Sequence, residues 1–238
     1  MTTAPELSCY TASLVAYLEP ERPDAGRELA DAVRLSVRTD PPEGELAFAH
    51  HARVDVDERG EGLAYRGSGS WDTTREALAE ESARRGRALA VGNTRHLPWS
   101  PSGGNETPHW LLVAAHADGR WAVRDTFDAT TPHGTHAPWE GVVSDAELRV
   151  LLTPPSALSP QAANRDRYAL GREVPLPPAD GYRWLERVAV RGGAEGEGGA
   201  DGAAPGHWVH GTAAVLRRVA ERVCGDPAAL AAHADDLW

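Results

Sequence analysis

The sequence has no lysine and no isoleucine, so its whole basic complement of 24 residues is arginine, set against 35 acids and a formal net charge of −11. That balance excludes bulk electrostatic attraction to nucleic acid or to an anionic membrane, and leaves only a local arginine cluster to serve either. Cysteine is scarce as well. Cys9 and Cys224 are the only two, too few and too far apart for a disulfide framework. No apolar run approaches the roughly 18 residues that a membrane helix needs, and no basic-then-apolar leader is visible. These absences predict a soluble cytoplasmic protein with free thiols and neither nucleic-acid nor membrane partners. What is present, 238 residues of which 41% are apolar, suffices for a substantial core in one large domain or one domain with an appendage.

Helical and strand periods alternate along the chain without an internal repeat. Cys9 to Leu18 reads as a helix with Ser8 as N-cap and Pro20 beyond its end; Tyr10, Leu14, Tyr17 and Leu18 form its apolar stripe. Beside that stripe lies a face of small residues, Cys9, Ala12, Ser13 and Ala16, on which other backbone or a ligand could come close. A second helix is expected over Gly26–Val37. Strands are expected at Leu46–Val56, from Leu63 to Tyr65, and at Ala88–Val91; a helix capped by Asp72 runs to Arg85. After the loop His96–Pro108 comes the clearest hairpin, HWLLVAAH–ADG–RWAVRDTFD, then a helix over Ser144–Leu152 with Ser144 and Glu147 as a capping box. Past Pro154 the chain turns irregular and rich in Pro and Arg. A strand near Glu186–Val190, a flexible Gly-rich segment 191–206 and an amphipathic helix 209–224 follow. The expected organisation is α+β, with a catalytic domain over 1–155 and a C-terminal extension over 156–238 packing on it.

The hairpin carries the chemistry. A three-residue loop Ala117–Asp118–Gly119, with glycine in the left-handed position, pairs His116 with Arg120 and His109 with Phe127. His109, Leu111 and Val113 then share a face with Trp121, Val123, Asp125 and Phe127. Asp125 is the one acid on that face, diagonal to His109 and within reach of it. A two-residue loop would pair His109 with Asp128 instead, but would turn Trp121, Val123 and Phe127 away from Leu111 and Val113. A buried carboxylate is costly unless paired, and imidazole is its natural partner: the acid holds one ring nitrogen and leaves the other as a base. Cys9 at a helix N-terminus supplies a candidate nucleophile, giving Cys9, His109 and Asp125 in chain order.

A cysteine opening a helix, then LPWS, HWLLV and DTFD, with His109 and Asp125 16 residues apart, resembles the papain-like cysteine peptidases. More closely it resembles the acyltransferase family of butirosin biosynthesis protein H (its N-terminal domain), over roughly residues 6–155. The resemblance implies a papain-like fold whose nucleophile helix packs on an antiparallel sheet, with Cys9 as acyl acceptor, His109 as base and Asp125 as its orienter. It implies acyl transfer from a phosphopantetheine thioester on an acyl carrier protein to a small-molecule amine or alcohol in secondary-metabolite biosynthesis, with no cofactor and no metal. The alternatives are a peptidase or thioesterase with the same triad, and an inactive papain-like binding module. One departure stands out. Papain-like enzymes carry a glutamine shortly before the cysteine as oxyanion donor, and TTAPELS has no amide side chain. Ser8, Asn93 and Asn105 are the candidates to replace it, beside a backbone N–H at the helix start.

Other features have plainer readings. His133 and His136, with His50 and His51, are expected as loop histidines, since no acid or cysteine cluster completes a metal site at ordinary spacing. Trp99, Trp110 and Trp139 either line an acyl pocket or pack in the core. Arg84, Arg85, Arg87 and Arg217, Arg218, Arg222 are expected on solvated faces, where one group could dock an acidic carrier.

Overall fold

The computed structural model describes residues 8–40, 46–101, 105–116, 118–131, 134–171, 174–190, 207–228 and 231. The expected flexible segment 191–206 lies outside them. The fold is α+β, as expected.

Helix α1 (Cys9–Leu18) is closed at its start by a reciprocal cap: the Ser8 hydroxyl accepts from the Thr11 N–H while the Thr11 hydroxyl accepts from the Ser8 N–H. Helix α2 (Ala25–Asp31) is shorter than expected, because Val33–Arg38 is strand β1 rather than helix. Val33, Leu35 and Val37 fit a period of two as well as a helical stripe, and β-branched residues take the strand once partners exist. Those partners are β2 (Ala47–His51) and the much later β11 (Trp208–His210), which together form a three-stranded sheet. The pairing of β11 also explains why the last helix, α6 (Thr212–Cys224), begins three residues later than the expected 209.

The main sheet has six strands, all antiparallel to their neighbours: β3 (Glu61–Ser68), β10 (Tyr182–Ala189), β4 (Ala88–Asn93), β5 (Pro108–Ala115), β6 (Trp121–Asp125) and β9 (Trp139–Val143), in that spatial order. Strand β10 is interior to this sheet, so the segment after residue 155 is woven into it rather than laid upon it. A small hairpin, β7 (Ala129–Thr131) with β8 (Gly134–His136), stands apart. It was unforeseen, as were β9 and helix α5 (Pro160–Tyr168), whose start is signalled by the Ser159 cap and Pro160 at the first helical position.

Strand alternation sorts the core onto two faces. Leu89, Val91, Trp110, Leu112 and Leu185 meet α1 through Tyr10, Leu14, Tyr17 and Leu18. Ala88, Ala90, Leu111, Val113, Trp121, Val123 and Trp184 meet α3 (Trp71–Arg85) and α4 (Asp145–Leu151) through Leu78, Leu148 and Leu151. Helix α3 is capped by Ser70 rather than Asp72, whereas the Ser144–Glu147 capping box of α4 is as expected. Behind α1, Asp166 of α5 ties three elements together: it accepts from the Tyr10 hydroxyl at 3.0 Å and Arg183 Nη1 at 2.6 Å, and its backbone carbonyl accepts from the Tyr65 hydroxyl at 3.2 Å. Among the described residues no helix is long and apolar enough to cross a membrane.

Candidate active site

Cys9 is the first residue of α1, at the end where unpaired N–H groups concentrate partial positive charge. Its position is set from behind by Ser13, whose hydroxyl donates to the Trp110 carbonyl of β5 at 2.9 Å. Ala12, Ser13 and Ala16 are buried on the same side as Cys9, so the small face of α1 does lie against the hairpin strand. Small side chains permit that close approach. The cap consumes the Thr11 N–H and leaves the N–H groups of Cys9 and Tyr10 as first-turn donors.

His109 and Asp125 come from neighbouring strands. The β5–β6 register pairs Ala115 with Trp121 and Val113 with Val123, and the His116 N–H donates to the Arg120 carbonyl at 2.8 Å. Gly119 has φ +77°, the left-handed value that the three-residue loop demands. This is the expected register. It puts Asp125 diagonal to His109, and His109 Nε2 lies 2.8 Å from Asp125 Oδ2 with both side chains buried. Asp128 is exposed.

Cys9 lies close enough to His109 for its sulfur to act on the charge of the ring. With Nε2 held by Asp125, Nδ1 is the nitrogen left to meet the sulfur. Burial alone disfavours a charged imidazole, but the Cys9 sulfur and the Asp125 carboxylate outweigh it, and the His109 pKa is pushed up to about 10. Asp125 loses basicity despite its burial, because the hydrogen bonds from His109, His136 and Trp99 hold its carboxyl well below the usual carboxylate range.

Asp125 gathers more than the one imidazole foreseen. Its Oδ2 also receives His136 Nε2 and Trp99 Nε1, each at 2.8 Å, while Oδ1 accepts the Phe127 N–H at 3.1 Å. His136 is therefore no loop histidine; it is 4% exposed and stacked on His109 with ring centroids 4.9 Å apart. The hairpin β7–β8 brings it there, turning at Gly134, where φ is +130°. No local sequence signal marks this burial; His133, the other histidine of HGTH, lies outside the described residues. His109, Asp125 and His136 form a group whose ligating atoms lie within 4.8 Å of one another, close enough to hold a metal ion. As arranged, both imidazoles point N–H groups at a carboxylate oxygen that already accepts an indole N–H, which is a hydrogen-bond hub and not a set of open lone pairs.

The tryptophans divide. Trp110 is fully buried under α1, donating to the Tyr65 hydroxyl at 3.1 Å. Trp99 and Trp139 stack with centroids 4.1 Å apart beside Asp125. Trp139 can fold back along its own strand because residue 141 is glycine; a Cβ there would stand 2.6 Å from the indole. Of the oxyanion candidates, the Ser8 hydroxyl is taken by the helix cap. The Asn93 amide donates to Glu106 Oε1 at 3.3 Å and accepts the Arg95 N–H at 3.1 Å. Asn105 is exposed, and its carbonyl accepts from Thr94 Oγ1 at 2.8 Å.

Of the arginines expected on solvated faces, Arg84, Arg217 and Arg218 are exposed, whereas Arg85 and Arg87 are engaged. Arg87 donates to the Tyr17 carbonyl and lies over the Tyr17 ring, and Arg85 pairs with Glu61. Cys224 is exposed at the end of α6. A scan against protein-family models and a search of the curated proteins both find nothing that matches this chain.

Proposed function

We propose that the chain is a cysteine-dependent acyltransferase of papain-like architecture, working through an acyl-enzyme on Cys9. The observation that carries this reading is Cys9, first residue of a capped helix, beside a buried His109 whose Nε2 is held by Asp125 at 2.8 Å. Nucleophile, base and orienter stand in the order that acyl transfer requires.

The chemistry follows from the tautomer. An ionised carboxylate only accepts, so Nε2 of His109 carries a proton, and Nδ1 takes the one from Cys9 Sγ; the raised His109 pKa favours the resulting thiolate–imidazolium pair. The thiolate attacks a thioester carbonyl, and the first-turn N–H groups of α1 face the oxygen that gains charge. The C–S bond to the donor thiol breaks, and that thiol leaves with the proton from Nδ1. An amine or alcohol then attacks the acyl-Cys9 carbonyl, giving its proton to Nδ1, and Sγ departs to be reprotonated. A thioester suits a site whose amide candidate Asn93 is committed elsewhere, because its leaving group needs less help than an amine. The resemblance to the butirosin protein H family supports a carrier-bound phosphopantetheine thioester as donor and a small-molecule amine or alcohol as acceptor.

The test is product analysis after incubation with acyl-pantetheine thioesters, with and without a panel of amines. Amide formed in preference to free acid is the expected result. Free acid alone, unaffected by any acceptor, would reassign the site to a thioesterase or peptidase, and no turnover of any acyl donor would favour a binding module.

A further inference from the structure

We propose that His136 is a second positioning residue of this site, holding the Asp125 carboxylate in the orientation from which it serves His109. The inference deepens the reading of Cys9 and His109 as the reacting pair and rests on it.

Three N–H donors, His109 Nε2, His136 Nε2 and Trp99 Nε1, converge on the single oxygen Oδ2, each at 2.8 Å. A carboxylate oxygen has two in-plane lone pairs, so three donors on it compete, and each weakens the hold of the others. His136 thus does two things. It fixes the carboxylate against rotation, with the Phe127 N–H on Oδ1 as the opposing anchor. It also draws off part of the negative charge that would otherwise bind the His109 proton more tightly. A merely packed histidine would not need its Nε2 there. The two rings are near-parallel, at 23°, and Phe127 sits edgewise to His109 at 5.8 Å and tilted against His136 at 5.3 Å. The groups facing His136 are therefore His109, Asp125 and Phe127, with Cys9 beyond His109. The hairpin β7–β8, outside the main sheet, is what delivers this ring to Asp125.

The first readout uses the wild-type protein, labelled with ¹⁵N and ¹³C at histidine. Both rings are expected to carry an exchange-protected proton on Nε2; an Nδ1–H tautomer at His136, with Nε2 unprotonated, would overturn the proposal. The second compares variants. In His136→Phe, or His136→Leu if the phenyl ring is not accommodated, the titration midpoint of His109 moves to higher pH. Acylation of Cys9 falls at least about five-fold, toward the hundred-fold that an ångström of misplacement costs. His136→Gln, which keeps a side-chain N–H, recovers most of both. If the apolar variants leave the His109 midpoint and the acylation rate unchanged while Asp125→Asn alters both, His136 only fills space. If wild-type Cys9 accepts no acyl group at all, the functional reading fails, and the tautomers and titration still decide the role of His136.

Discussion

At Asp125, one carboxylate determines what the neighbouring imidazole can do. Held ionised, it keeps a proton on Nε2 of His109 and leaves Nδ1 as the nitrogen that can exchange a proton with Cys9. Asp125→Asn keeps the shape but replaces a pure acceptor by a group that can also donate, so the tautomer is no longer imposed. The rate of Cys9 acylation is expected to fall on the order of 10²–10⁴-fold, whereas Asp128→Asn, at an exposed position on the other face, changes it less than about two-fold. Parallel rate measurements decide the matter, and the reverse ranking would contradict the assigned roles. At this scale the sequence was informative where a residue violated its surroundings: an acid among Trp121, Val123 and Phe127 demanded a partner, and His109 was diagonal to it. His136 was illegible for the opposite reason. Nothing about a histidine in a Pro- and Gly-containing turn distinguishes a buried ring from a solvated one until the turn is folded.

At the scale of elements, the site depends on three local devices: the Ser8–Thr11 cap that opens α1 at Cys9, the left-handed Gly119 that sets the hairpin register, and Gly141, which gives Trp139 room to stack on Trp99. The last makes a direct prediction. In Gly141→Ala the new methyl displaces the Trp139 indole, and Trp99, which donates to Asp125, loses its stacking partner. Overpacking of this kind costs about 1–3 kcal/mol, and a thermal melt with tryptophan fluorescence should show both a lowered midpoint and a changed emission from the folded state. Unaltered emission would mean that the stack does not depend on the glycine. Register and caps were legible because they rest on local chemistry: a glycine at a turn, a serine before an apolar stripe. The strand β1 was misread as helix because its outcome depends on β2 and β11, partners distant in sequence. Strand β10 was expected but not its interior place, which no local pattern encodes.

For the whole molecule, the buried charges of the site couple folding to pH. His109 has its pKa raised from 6.5 to about 10, so the stability it contributes is fully present below about pH 6.5 and is lost as pH rises through about 10. Asp125 has its pKa depressed from 3.8, so its contribution is present above about pH 4 and is lost as pH falls below that. Stability of the wild-type protein should accordingly decline from pH 7 toward pH 10, with a shallower decline in His109→Gln, as read from denaturant midpoints across that range. Identical slopes would show that His109 is not charged in the native state. Behind the site, the Asp166 tie to Tyr10, Tyr65 and Arg183 joins α5 and β10 to the helix that carries Cys9, so segments after residue 155 hold that helix from the rear. The measurement that bears most directly on the account is intact-mass analysis of the protein after incubation with an acyl-pantetheine thioester. The account predicts a mass gain of one acyl group, mapped to Cys9, discharged by an amine and absent in Cys9→Ala; an adduct that persists in Cys9→Ala, or none with any acyl donor, would contradict it.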